Sequence, residues 1–148
     1  MRRVEGLAEI VLWVHDMDAA LHFYRDGFGL ELISSPELPN KFLRAGQGRG
    51  GILEMIVLVP HPDRSFEFPR EKAKRVLHHM AVRVEAKAYD ELQLHFMSEG
   101  IEVRTGVHPV LKGARTFYVD DPDGNECECI THDPGHPDAT KTGYEPGR

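Results

Sequence analysis

Two cysteines and one tryptophan occur among the 148 residues, and there is no long apolar run and no cluster of basic residues. Each scarcity removes a class of explanation. Cys127 and Cys129 stand two apart, on one face of any strand that holds them, so they make neither a disulfide framework nor a complete thiolate metal site. Small, reduced, apolar thiols are expected. No stretch approaches the ~20 apolar residues of a membrane span, and MRRVEGLAEI lacks the apolar core of a signal peptide. A soluble cytoplasmic protein is the expectation. With a net charge of −6 and scattered Lys and Arg, the surface is ill suited to nucleic acid or an anionic membrane, which leaves a small molecule as the expected partner.

What is present is order, repeated. The run LAEIVLWV is β-branched and apolar, and the stretch after it places Asp16 to cap a helix carrying Ala20, Phe23, Tyr24 and Phe28 at helical spacing. Gly29 ends that helix, and LELISS, NKFLRA and GILEMIVLVP read as strands, the last closed by Pro60. After a polar connector the order begins again. HMAVRV is a strand, AYDELQLHFMSEG a helix with Tyr89, Leu92 and Phe96 on one face, and IEVRTG, ARTFYVDD and NECECI are three strands. The expected fold is α+β, two βαβββ modules forming a curved mixed sheet around a cleft. The first module spans 7–59, the connector 60–75, the second module 76–131, and 132–148 is a flexible, Pro/Gly-rich C-terminal tail.

The halves superpose with a period of about 70 residues. Glu9 falls on His79, Ile10 on Met80, Leu12 on Val82, and Glu54 and Glu128 each stand four residues after a glycine. Period two gives Glu9 a face with Val11 and Trp13, Glu54 one with Ile56 and Leu58, His79 one with Ala81 and Arg83, and Glu128 one with Glu126 and Ile130. An ionised glutamate inside ILEMIVLV needs a partner, and one divalent metal ion would serve Glu9, Glu54, His79 and Glu128 together. Three carboxylates and one imidazole suit Zn, Ni, Co, Mn or Fe without choosing among them. Other motifs reduce to turns: GQGRGG precedes a strand rather than a helix, and DPDG fits a type I turn.

The paired modules, DMDAALHFYRDGFGLEL, HHMAVRV and VDDPDGNECECI resemble the vicinal-oxygen-chelate superfamily, the glyoxalase, bleomycin-resistance and extradiol-dioxygenase relatives, over about residues 7–131. That resemblance implies metal ligands at Glu9, Glu54, His79 and Glu128, with glutamate at the first position where relatives often carry histidine or glutamine. It implies a glyoxalase-like lyase, isomerase or epimerase in which Glu128 or Glu54 is the catalytic base. Trp13 and Leu58 stand where glutathione-using glyoxalases tend to carry arginine and asparagine, which points away from glutathione. Trp13 and Leu58 would then line an apolar substrate site with Tyr118, and Arg75 and Arg83 would contact an anion. A metal-free drug-binding protein of the bleomycin-resistance kind is the alternative, an extradiol-type dioxygenase the next. A homodimer is expected, as in many relatives.

Overall fold

The computed structural model describes residues 1–145 and 147. The chain divides into two units, Met1–Phe68 and Pro69–Arg148. Both are open, four-stranded mixed sheets, each with a helix between its first two strands, an α+β architecture.

In the first unit, β1 (Glu9–Val14) leads into α1 (Met17–Leu21), which widens into a π-helical stretch over His22–Gly27. Asp16 caps α1 by accepting from the Ala19 amide at 3.1 Å, and Gly29 takes the φ of +74° that ends the helical segment. Ala20, Leu21, Phe23 and Tyr24 are buried. The π widening returns the Phe28 amide to the Phe23 carbonyl, and past Gly29 the Leu30 amide closes on the Tyr24 carbonyl; the successive aromatics Phe23 and Tyr24 are both buried. Strands β2 (Glu31–Leu32), β3 (Lys41–Arg49) and β4 (Ile52–Pro60) follow, in the order β1-β4-β3-β2. The expected strand over LELISS shrinks to two residues because Ser34 turns its hydroxyl to the Phe42 amide, replacing a ladder bond.

The second unit repeats the plan. β5 (Met80–Arg83), α2 (Ala86–Ser98), β6 (Arg104–Gly106), β7 (Ala114–Asp120) and β8 (Glu126–His132) assemble in the order β5-β8-β7-β6. Met80 pairs with Cys127, and Phe117 with Cys129, on the buried side, where Tyr89 and Phe96 of α2 meet Phe117 edge-on. Both cysteines are buried, as small apolar side chains should be.

The C-terminal segment expected as a flexible tail makes backbone contacts with the second unit among its described residues, with residues 146 and 148 outside them. Asp133 donates its amide to the Gly113 carbonyl, Thr140 to Ala114, and Tyr144 to Val110, while Ala139 is 3% exposed. Sparse aliphatic residues suggested mobility, but this segment is held by backbone hydrogen bonds and by the Arg115–Asp133 ion pair, at 3.2 Å, which composition does not reveal.

Burial pushes the Tyr89 phenol up to about 12, the neighbouring Arg115 charge acting against it, and burial also raises the Cys129 thiol. Unfolded, these groups ionise near 10.0 and 9.0. Their native-state protonation therefore holds stability level below about pH 9 and lets it fall as pH rises beyond that. Melting temperatures recorded from about pH 7 to 11 should show this one-sided alkaline decline; a flat profile to the alkaline end would contradict it.

Candidate functional site

The second unit's pleat explains how its polar side chains meet. Ala81 pairs with Glu128 across β5 and β8, and Tyr118 pairs with Glu128 across β7 and β8. Paired residues share a face, so His79, one residue before β5, Glu128 and Tyr118 point the same way. The Nε2 atom of His79 lies 3.1 Å from Glu128 Oε2. Glu128 Oε1 accepts from the Thr116 hydroxyl at 2.7 Å and from the Tyr118 hydroxyl at 3.0 Å. A carboxyl group only 4% exposed is costly to bury unless it is bonded in this way. Burial pushes the Tyr118 phenol up, and its hydrogen bond to Glu128 and that group's charge push it further. Tyr118 thus stays a donor at neutral pH.

Two further groups surround this pair. The imidazole of His78, which is exposed, places Nδ1 2.7 Å from Nδ1 of His79. Glu126, one pleat along from Glu128, accepts from Lys72 at 2.7 Å and from Arg104 at 3.4 Å. Burial would raise the Glu126 carboxyl, but the Lys72 hydrogen bond and both cations outweigh it and hold the group below its ordinary range. Donor atoms of His78, His79 and Glu126 all lie within 4.8 Å of one another.

The donors fit a divalent ion. Metal–ligand bonds of about 2.0–2.2 Å, opened to near a right angle, set an imidazole nitrogen and a carboxylate oxygen ~3 Å apart, close to the 3.1 Å between His79 and Glu128. One imidazole beside carboxylates admits Mn, Fe, Co, Ni and Zn.

The first unit does not mirror this arrangement. Glu9 pairs with Met55, so Glu9, Val11 and Trp13 share a face with Met55, Val57 and Val59. By alternation Glu54 belongs with Ile56 and Leu58 on the face of Ile10 and Leu12, the opposite side of the sheet. The repeat in sequence is therefore offset in pairing: Val11, the counterpart of Ala81, lies across from Val57 instead of Glu54. Glu54 is half-buried over Gly46, with which it pairs.

The remaining expected contacts divide. Tyr118 bonds Glu128 through its hydroxyl. Trp13 is 52% exposed and meets His61 edge-on at 5.1 Å, and His61 in turn stacks on Phe66. Arg83 is exposed on the His79 face. Leu58, expected as a substrate contact, is 0% exposed, packed between Leu12 and Lys41 in the sheet. Arg75, expected as an anion contact, bonds within its own unit. Its guanidinium donates to the Asp123 carbonyl at 2.8 Å and reaches the Asn125 amide oxygen at 3.4 Å, clamping the turn before β8. Gly124 leaves room for it, since a Cβ there would collide with the guanidinium. Thr116 escaped the sequence reading; its only sign is that it stands two residues from Tyr118 on one strand face.

Two βαβββ units, the second carrying a buried carboxyl group beside an imidazole, define a paired-module α+β protein. The chain matches the family model of the Glyoxalase/Bleomycin resistance protein/Dioxygenase superfamily over residues 6–129, and it belongs to that superfamily. Among solved structures it resembles a glyoxalase/dioxygenase from Nostoc punctiforme, at 19% identity and a TM-score of 0.67, covering 88% of this chain and 92% of that one. A lactoylglutathione lyase from Agrobacterium tumefaciens is 26% identical, with a TM-score of 0.59 and coverage of 88% and 96%. A fosfomycin resistance protein from Listeria monocytogenes is 23% identical, with a TM-score of 0.59 and coverage of 85% and 90%. No helix among the described residues is long and apolar enough to cross a membrane.

Proposed function

We propose that the chain is a metal-dependent enzyme of the glyoxalase type, a lyase, isomerase or epimerase acting on a small substrate with adjacent oxygens, with glutathione not the recognised group. The observation that carries this reading is the His79–Glu128 pair, 3.1 Å apart, with the carboxyl group buried and its far oxygen held by Thr116 and Tyr118. His79 and Glu128 are the ligands the second module offers; Glu9 and Glu54 are the first module's candidates, to be tested one at a time because they lie on opposite faces of their sheet. A divalent ion bound there supplies Lewis acidity that stabilises negative charge on substrate oxygen. Glu128, turned toward the site through Oε2 while Thr116 and Tyr118 anchor Oε1, is the base that accepts and returns a proton. Tyr118 holds that carboxyl group in position.

Elemental analysis of protein purified without chelator tests the reading. Near-stoichiometric metal that is lost in His79→Ala and Glu128→Gln supports it. No metal, and no uptake of Mn, Fe, Co, Ni or Zn, overturns it. The cluster of Trp13, His61 and Phe66, with Trp13 and Phe66 52% and 42% exposed, favours metal-free binding of an aromatic drug as the second reading. In that case His79→Ala leaves drug affinity unchanged and Trp13→Ala abolishes it.

A further inference from the structure

We infer that His78 is the positioning residue for His79, the hydrogen-bond partner that lets this imidazole present Nε2 in either protonation pattern. The inference rests on the proposed function, in which His79 is a ligand through Nε2. A neutral imidazole donates from one nitrogen and accepts at the other. For Nε2 to offer its lone pair, the proton must sit on Nδ1, and among the described residues Nδ1 of His79 meets Nδ1 of His78 at 2.7 Å. With Nε2 bearing the proton instead and donating to Glu128 at 3.1 Å, Nδ1 accepts and His78 must donate. Carboxylates and backbone carbonyls, the common partners of ligating histidines, only accept. An imidazole serves both arrangements with one proton between the two Nδ1 atoms. The His78 side chain is exposed, so its own tautomer adjusts by exchange with water.

The local backbone makes the contact possible. Successive residues of a strand point to opposite faces, but the ladder begins only at Met80. His78 and His79 lie before it, and their rings meet edge-on with centroids 4.9 Å apart. The alternative role for His78, a ligand together with His79 and Glu126, is opposed by charge: Lys72 and Arg104 already occupy both oxygens of Glu126, and a cation there would be a third positive group.

Zinc titration against a chromophoric chelator, on wild type, His78→Phe, His78→Asn and Glu126→Gln, is the test. His78→Phe should weaken zinc binding about 10–100-fold, the usual cost of losing a partner behind a metal ligand. His78→Asn, whose amide both donates and accepts, should recover most of that loss, and its cobalt-substituted form should keep the wild-type visible spectrum. Glu126→Gln should bind within the scatter of the measurement. Metal-free melting temperatures of the variants should match wild type, separating positioning from folding. Wild-type affinity in His78→Phe overturns the inference, as does a loss in Glu126→Gln equal to that in His78→Phe or a changed cobalt spectrum in His78→Asn, either of which makes His78 a ligand. A wild-type protein that takes up no metal overturns the proposed function and this inference together, an outcome distinct from the others.

Discussion

Glu128→Gln is expected to abolish metal retention and, on any substrate the wild type turns over, to lower the rate by about 10²–10⁴-fold, the share general-base catalysis usually contributes. The fold should survive. Gln keeps an oxygen that accepts from Thr116 and Tyr118, which now bond Glu128 Oε1 at 2.7 and 3.0 Å, so the stability change should stay within about 1 kcal/mol. Glu128→Leu is the contrasting control, because it strands the Thr116 hydroxyl at a position 2% exposed and should cost a further ~1–3 kcal/mol. Metal content, turnover and denaturant midpoint measured on both variants separate loss of chemistry from loss of fold. Retained metal and turnover in Glu128→Gln would remove this residue from the mechanism.

The largest stability effect is expected from Arg115→Met. Arg115 is buried, its guanidinium lies 4.4 Å over the Tyr89 ring, and it bonds Asp90 at 2.8 Å and Asp133 at 3.2 Å. Losing one partner of a buried ion pair commonly costs 3–5 kcal/mol. Here the stranded acids reach water, the Asp90 and Asp133 side chains being 69% and 31% exposed, which lowers the expected loss to about 2–4 kcal/mol. For a unit of this size that is a fall in melting temperature of roughly 10 °C or more. Met retains the volume of the arginine stem, so the loss reports the charge and its bonds. Limited proteolysis should show new cleavage within residues 133–141, where the C-terminal segment loses its tie to β7. A fall of only a degree or two, with the segment still protected, would make Arg115 a passive occupant.

The helix caps and module order were readable because local chemistry determines them. Asp16 binds an amide at the start of α1, and Gly29 and Gly100 take the positive φ that ends each helical segment, whatever the rest of the chain does. The shared face of His79, Glu128 and Tyr118 was readable too, because period two carries them onto one side of the sheet once the register is right. What escaped depends on pairing between distant strands. Glu54 and Glu128 look equivalent in sequence, yet the partner of Val11 is Val57 while that of Ala81 is Glu128. No spacing within either strand encodes that offset. The burial of Leu58 depends on the same pairing, and the bonds of Arg75 to Asp123 and Asn125 join residues about fifty apart along the chain. The contacts of the C-terminal segment are not legible in its composition, since carbonyls and amides make them and every residue brings those.

Gly46 gives the first module an unusual lever. A methyl group at that position would run into the Glu54 carboxylate, which is the mobile end of a flexible side chain rather than fixed backbone. Gly46→Ala therefore shifts one acid aside with its charge, its identity and its strand all unaltered. A geneticist gains a means of separating where Glu54 sits from what Glu54 is, two properties that replacing the glutamate itself always changes at once.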